Sequence, residues 1–476
     1  MAASTHTDTH AMEVVIKNSH IVKPAESITP DDEIMYVSDC DQVKPLTHAP
    51  TIYVYKPTTE ISIKDAIHIL KDSLSKALVT FYPLAGRLHW ISGGGGRVEL
   101  HCKSKGASVL EAESHLKIDD LGDFLPSPVI SSLLPSVDLI NTPIEDVPLL
   151  LVQLTKFTCG GLTLGVMISH VLADGRSALH FLSEWAKVAR GGDKSFDPPP
   201  FLDRKVLQPK ELPPHDALSK LVKHSQFHPL PPVIGGDADG MDQRKKPTMV
   251  AALKIGKEQV EKLKAKANIN YGIKSDGEEH KSFRALTKFE ALSAHIWKCA
   301  SKARKHTNDQ ETLCLISVDF RNRLKQPLPP AYFGNAVVMV PAVATAGDIL
   351  SKPLGYTASK IRETIDSVTD QYVNATLATC KNLPDVSLYR NSHTVGCSRG
   401  AFFGNPNILI TSWTGLNLYG LDFGWGEETY LGPASVGYDG RILMLPSHNG
   451  DGSFLVILRF QVEHFDAFVK YFHEEI

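Results

Sequence analysis

The chain has 476 residues and seven cysteines, yet none falls in a Cys-x-x-Cys pair or at metal-ligand spacing. That pattern excludes a local zinc or dithiol centre, so no metal is expected. Cysteines 40, 102, 159, 299, 314, 380 and 397 read as scattered reduced thiols of a cytoplasmic protein. Long apolar runs are missing too, and no segment is long enough to span a membrane. The beginning of the chain lacks the basic start and apolar core of a signal peptide. Residues 1–11 are small and polar and are expected to be disordered, with Met12 as an alternative start. Charge of one sign is scarce. A net charge of −3 and no basic run interleaved with aromatics argue against a nucleic-acid or membrane-surface partner. No short repeat is visible. The glycine run at 93–96 has no Gly-Lys-Ser/Thr after it, so it reads as a hairpin loop between 88–91 and 98–101, not a phosphate cradle.

What is present is enough apolar material, 42% of residues, for large cores in a chain too long for one domain. Two domains are expected: 12–200 and 248–476. Between them lies a crossover at 201–247, rich in proline from Pro198-Pro199-Pro200 to Pro231-Pro232. The class is α/β. In the second half, strands are expected at 248–255, 313–319, 336–340, 408–412, 442–445 and 454–460. Helices are expected at 257–267, 287–302, 357–372 and from His464 onward, with a polar loop at 272–281.

Three His-x-x-x-Asp matches occur where about one is expected by chance, so context must decide among them. His68…Asp72 lies on a helix whose buried stripe is Ile63, Ile67, Leu70, Leu74 and Leu78. His68 falls off that stripe, in reach of a surface i,i+4 contact. His115…Asp119 lies in a charged stretch with no strand leading into it. His170-Val171-Leu172-Ala173-Asp174-Gly175 differs from both. Leu162, Leu164, Val166 and Ile168 alternate with Thr163, Gly165, Met167 and Ser169, as in a strand with 149–157 as its hairpin partner. After Gly175 comes a helix with Ala178, Phe181, Leu182, Trp185 and Ala189 on one face, ending at Gly191. A histidine at a strand-to-helix junction suits a rigidly held base or a satisfied core residue.

Two further elements follow in order, Tyr332-Phe333-Gly334-Asn335 and Asp422-Phe423-Gly424-Trp425-Gly426. With the His170 motif, with Leu74-Ser-Lys-Ala-Leu-Val-Thr-Phe-Tyr-Pro-Leu-Ala-Gly-Arg87 and with Ile410-Thr-Ser-Trp413, the chain resembles the BAHD family of plant acyl-CoA-dependent acyltransferases over residues 12–476. The resemblance implies two similar chloramphenicol-acetyltransferase-like domains with mixed sheets and a tunnel between them. Acyl-CoA enters as co-substrate from one face and the acceptor from the other. It implies no permanently bound cofactor, and a monomer.

By the same resemblance His170 is the general base, a role for which an imidazole is suited near neutral pH. The thioester is already activated, so direct transfer with no acyl-enzyme is expected. Asp174 is expected to hold the loop by pairing with an arginine and not to orient His170. Asp422 is expected to make a structural ion pair, with Arg321 or Arg323 as partner. Trp413 would shape the acyl pocket and offer its indole N–H to the oxyanion. The region 282–288 resembles the CoA-contacting part of the family, with Arg284 or Lys288 for phosphate. For the acceptor, Thr51 and Tyr53 match residue types that bind shikimate or quinate, while Ala49 replaces a hydroxyl. The carboxylate-binding arginine of those relatives aligns with Ser398, and Arg399 is next to it.

Motifs at Thr155-Lys-Phe-Thr-Cys-Gly-Gly161, Phe201-Leu-Asp-Arg-Lys205, Gly404-Asn-Pro-Asn407 and Tyr419-Gly-Leu-Asp-Phe-Gly-Trp-Gly426 are most similar to spermidine hydroxycinnamoyl transferases. N-acylation of spermidine or a related polyamine is therefore the first expectation. The alternative is O-acylation of an alcohol, either shikimate or quinate or an alkaloid alcohol. A third reading is a binding module without turnover, against which the retained His170, Asp174 and 422–426 motif argue.

Overall fold

The computed structural model describes residues 14–27, 33–57, 62–192, 196–209, 241–269, 271, 284–390 and 404–476. Among them are two six-stranded mixed sheets and one of three strands. The first sheet has the order β1 (Val14–Val22), β6 (Ala107–Ser114), β7 (Leu150–Lys156), β8 (Leu162–Ser169), β3 (His48–Tyr55) and β13 (Tyr430–Pro433). The second has the order β11 (Val337–Thr345), β10 (Glu311–Asp319), β12 (Ile408–Ser412), β14 (Arg441–Pro446), β15 (Phe454–Gln461) and β9 (Thr248–Ile255). The small sheet joins β2 (Ile34–Met35), β5 (Val98–His101) and β4 (Arg87–Trp90), the last two flanking the glycine-rich hairpin.

The alternating run becomes β8, antiparallel to β7 on one side and to β3 on the other. Alternation there does not mean one wet face, because seven of its eight residues are buried. The strand is central and covered on both sides. Gly165 shows how tightly: a Cβ there would sit 2.2 Å from the Leu133 carbonyl oxygen. No side chain fits.

The helix Ile63–Thr80 starts at Ser62, whose hydroxyl accepts from the Asp65 amide. Ile67, Leu70, Leu74 and Leu78 are buried as the stripe predicts, each contributing about 1.5–3 kcal/mol by leaving water. His68 is exposed, and Asp72 pairs with Lys76 at 2.5 Å instead of with the histidine. The helix packs on Gly175–Ala189, where the Trp185 indole donates to Ser73 Oγ at 2.9 Å.

One helix expected in the second half is divided. The single helix expected over 357–372 is two, Leu354–Asp366 and Asp370–Asn382. Thr369 takes an extended conformation and its hydroxyl accepts from the Tyr372 amide, so a new N-cap interrupts the run. The other strands and helices expected there are found, the strand expected at 336–340 running on to Thr345, while the helix Ala346–Ser351 and the strand Tyr430–Pro433 fall outside the expectation. The loop expected at 272–281 and most of the proline-rich crossover lie outside the described residues.

Chain order and space part company near the end of the chain. β13 leaves the second half and pairs antiparallel with β3 in the first sheet. Phe423 and Trp425 likewise pack into the first core, Phe423 against Trp185 at 4.9 Å between ring centroids and Trp425 against Tyr55 at 6.0 Å.

Candidate active site

His170 sits one residue past β8, and its amide donates to the Thr47 carbonyl at 3.0 Å, extending the ladder to β3 by one step. The residue as a whole is part-exposed, yet Nδ1 is fully buried and makes no full hydrogen bond. Burial holds the imidazole pKa below its usual 6.5, and the positive charges of Lys44 and Arg441 add to the effect. The residue's own carbonyl and, least of all, Asp174 oppose it. The ring is therefore neutral at pH 7 and able to accept a proton.

Asp174 does not orient His170. Its Oδ1 accepts from the Ser177 amide at 3.0 Å, capping the helix Gly175–Ala189, and from Arg321 Nη2 at 3.0 Å. Oδ2 takes Arg321 Nη1 at 2.8 Å and the Ala336 amide at 3.0 Å. Burial raises the carboxyl pKa, but Arg321 and the two amides outweigh it and leave the group below its ordinary range. Every lone pair is engaged. The aspartate ties the turn to the second half of the chain, as a structural residue.

Asp422 is a correction to the sequence expectation. Arg321 is committed to Asp174 and Asp319, and Arg323 donates to the Ile365 and Val368 carbonyls. Asp422 Oδ1 instead accepts from the amides of Gly424 at 2.7 Å and Gly426 at 3.0 Å. Both glycines have φ near +100°, a region that other L-residues avoid. The carboxylate thus closes the turn on its own amides, while the Arg190 guanidinium donates to the Asp422 carbonyl, and the turn aims Phe423 and Trp425 into the first core.

Trp413 follows β12 directly, its amide donating to Met444 O at 2.8 Å, and packs part-buried against the first core. Its turn reaches Leu416, whose Cδ1 lies 3.3 Å from the place a Cβ on Gly175 would occupy. The Trp413 segment and the His170 turn thus abut. Thr51 and Tyr53 stand on β3 opposite Val166 and Leu164, four and six residues before His170 on the neighbouring strand. The Thr51 hydroxyl donates to Val166 O at 3.4 Å, and Tyr53 is fully buried. Ser398 and Arg399 lie outside the described residues.

A cleft of about 370 Å³ opens at the start of the helix Lys288–Ala303, with Lys264, Leu286, Thr287, Lys288, Thr414 and Phe454 in its wall. Lys288 therefore lines a space one residue from Trp413, although its ammonium is held by Glu261 at 2.7 Å. Arg284 is exposed, pairs with Asp366 at 3.2 Å and is not among the cleft residues.

Three residues that sequence reasoning did not single out hold the turn from behind: Asp41, Arg204 and Asn335. Arg204 Nη1 meets Asp41 Oδ2 at 3.0 Å, and Nη2 donates to Leu172 O at 2.7 Å. Asn335 Nδ2 donates to His170 O at 2.8 Å and to Asp41 Oδ1 at 2.8 Å. Arg204 and Asn335 lie within quoted motifs, but nothing in the spacing says that they meet. Among the described residues no group of three or more His, Cys, Asp or Glu is disposed to bind a metal ion, and no helix is long and apolar enough to cross a membrane.

Comparison with known proteins converges on one group. Residues 12–475 match the family model described as Transferase family. The chain is 43% identical to a hydroxycinnamoyl-CoA:piscidic acid hydroxycinnamoyltransferase of Actaea racemosa, covering 97% of this chain and all of that one. It is 37% identical to a shikimate O-hydroxycinnamoyltransferase of Nicotiana tabacum, again over 97% of this chain and all of that one. Among solved structures, the TRI101 protein of F. sporotrichioides complexed with coenzyme A and T-2 superposes with a TM-score of 0.72 at 20% identity. That match covers 93% of this chain and 98% of the other, and it supports the two-domain chloramphenicol-acetyltransferase-like fold.

Proposed function

We propose, for a chain that belongs to the Transferase (BAHD) family and is an acyl-CoA-dependent acyltransferase, that it moves a hydroxycinnamoyl group from CoA to the hydroxyl of an acceptor carrying a carboxylate. The observation that carries this reading is the charge around the His170 turn. The cations that act on the imidazole are Lys44 and Arg441. Lys44 Nζ is anchored on Val337 O at 2.9 Å, and Arg441 pairs in register with Leu409, on the sheet face that also carries Thr411.

The carboxylates buried near the turn are all engaged. Asp174 holds Arg321, Asp41 holds Arg204 and Asn335, and Glu428 accepts from the Gly420 and Leu421 amides at 2.9 and 2.7 Å. N-acylation of spermidine needs free carboxylates to position a polycation. Asp174 and Asp41, the two carboxylates at the turn, are already paired with arginines. Two of the relatives act, by their names, on piscidic acid and shikimate, which fits an acidic acceptor.

In the proposed reaction, His170 takes the acceptor hydroxyl proton as the oxygen attacks the thioester carbonyl. The tetrahedral intermediate collapses, the C–S bond breaks, and the departing thiolate recovers that proton from His170. Trp413 packs beside the acyl group, and the cleft at Lys288 takes the CoA arm. The Ser177 hydroxyl, beside the turn, is locked on Gly334 O at 2.9 Å and is not free to act as a nucleophile.

The test is product mass after incubation with coumaroyl-, caffeoyl- and benzoyl-CoA, with piscidic acid, shikimate, quinate and spermidine competing as acceptors. Esters of the acids, absent with His170→Ala, are expected. Spermidine amides would overturn the acceptor assignment, and undiminished product in the variant would overturn the base.

A further inference from the structure

We infer that Asn335, with Asp41 and Arg204 behind it, is a positioning residue for His170, setting where the imidazole stands without touching substrate. The inference rests on the reading of His170 as the base. Its ground is the unusual way in which the carbonyls of the turn are satisfied. His170, Val171 and Leu172 leave β8 before the next helix begins, so neither ladder nor helix can take up their oxygens. Side chains from elsewhere take all three. Asn335 Nδ2 donates to His170 O at 2.8 Å and to Val171 O at 3.3 Å. Arg204 Nη1 reaches Val171 O at 3.4 Å and Nη2 reaches Leu172 O at 2.7 Å.

Asp41 fixes both donors. Its Oδ1 accepts from the main-chain amide of Asn335 at 2.9 Å and from Nδ2 at 2.8 Å, while Oδ2 holds Arg204 at 3.0 Å and the Ser38 hydroxyl at 2.6 Å. The three residues come from three distant parts of the chain: the start of the first half, the crossover and the second half. All are essentially without solvent access. Their placement is not what stability alone would select. Asn335 Oδ1 and Arg204 Nε are buried with no partner, a cost that an apolar plug would avoid. What the groups gain in exchange is a fixed backbone directly at His170, where a shift near 1 Å is expected to lower turnover on the order of a hundredfold.

The substitution Asn335→Ala removes the donor to His170 O, and Arg204→Lys keeps the charge but loses the two-pronged donor. Each is measured for melting temperature, for CoA affinity by calorimetry, and for kcat and KM. The expected result is a kcat lowered at least tenfold in folded protein that binds CoA with the parent's affinity and keeps the parent's KM for acyl-CoA. Asn335→Gln, a longer amide that still carries a donor, is expected to recover part of the loss. Should Asn335→Ala fail to fold, Arg204→Lys decides alone. A parental kcat in either folded variant would overturn the inference, as would a fall in CoA affinity that matches the fall in kcat. His170→Ala measured alongside separates the two claims. If it is inactive while the Asn335 variant is normal, only the positioning role is lost; if it stays active, the base itself is wrong.

Discussion

The His170 turn and the Asp422 turn look alike in sequence, each pairing an aspartate with glycine beside aromatic or apolar residues, but their hydrogen bonds run in opposite directions. At His170 the turn is held from outside, with its three carbonyls and its aspartate bound by side chains of Arg204, Asn335 and Arg321. At Asp422 the aspartate side chain closes the turn on itself, through two amides no more than four residues away, and the one outside side chain on the motif's aspartate is Arg190, which donates to its main-chain carbonyl. A turn whose aspartate is spent on its own amides serves as an anchor, and this one seats Phe423 and Trp425 in the first core. A turn held by distant segments exists only in the folded whole and presents one side chain in one orientation. That second arrangement is what catalysis demands.

The comparison breaks most visibly at the buried ion pair. Asp174→Ala leaves the buried Arg321 guanidinium with only the partly exposed Asp319 as counter-charge and uncaps the helix Gly175–Ala189, and is expected to cost about 3–5 kcal/mol of stability, read by denaturant unfolding. A loss below about 1 kcal/mol would mean that the turn is not held from outside.

Acid should weaken the fold next. Burial pushes His48, His295 and His306 down to about 4 from an ordinary 6.5. Each stays neutral in the fold while the unfolded chain takes up its proton. Stability is therefore full above 6.5 and is lost as pH falls toward 4, by about 1.4 kcal/mol per unit for each histidine. Equilibrium unfolding between pH 7 and 4.5 checks this. On the rate side, the neutral form of His170 is the competent one and its pKa in the free protein is lowered, so the acid limb of kcat/KM should lie below pH 6.5. A limb above 6.5 would contradict the site described here.

Smaller effects sharpen the contrast. Asp422→Ala removes one acceptor serving two amides and is expected to cost about 1 kcal/mol while kcat in folded protein stays near the parent's. Smallest of all, Lys288→Ala should raise the KM for acyl-CoA by up to about fivefold, whereas Arg284→Ala, outside the cleft, should leave it unchanged. Equal effects would remove the basis for placing CoA at that helix start.

Much of this was legible in the sequence because the signals are local. The period-two run into His170, the apolar stripe of Ile63–Thr80 and the glycine hairpin each rest on neighbours within a few residues, and each is found as expected. Local reasoning failed where partners are remote. For Asp422 the family resemblance implies an arginine partner, but the amides of Gly424 and Gly426 lie within reach and take the carboxylate. The break at Thr369 was missed because the apolar spacing continues through it. The crossing of β13 into the first sheet depends on pairing with a strand about 380 residues earlier, which no periodicity reports. Asp41 gives no sign at all, since it is one of two aspartates in the short helix Asp39–Gln42 and its role appears only when Arg204 and Asn335 arrive beside it.

The most direct test sets His170→Ala beside Asp422→Ala, reading kcat in protein shown to be folded and to bind CoA. The account predicts that kcat falls by about 10²–10⁴ in the first with melting near the parent's, and that the second melts lower but turns over normally. Comparable kcat losses in both, or a His170→Ala enzyme that still turns over at the parental rate, would contradict it.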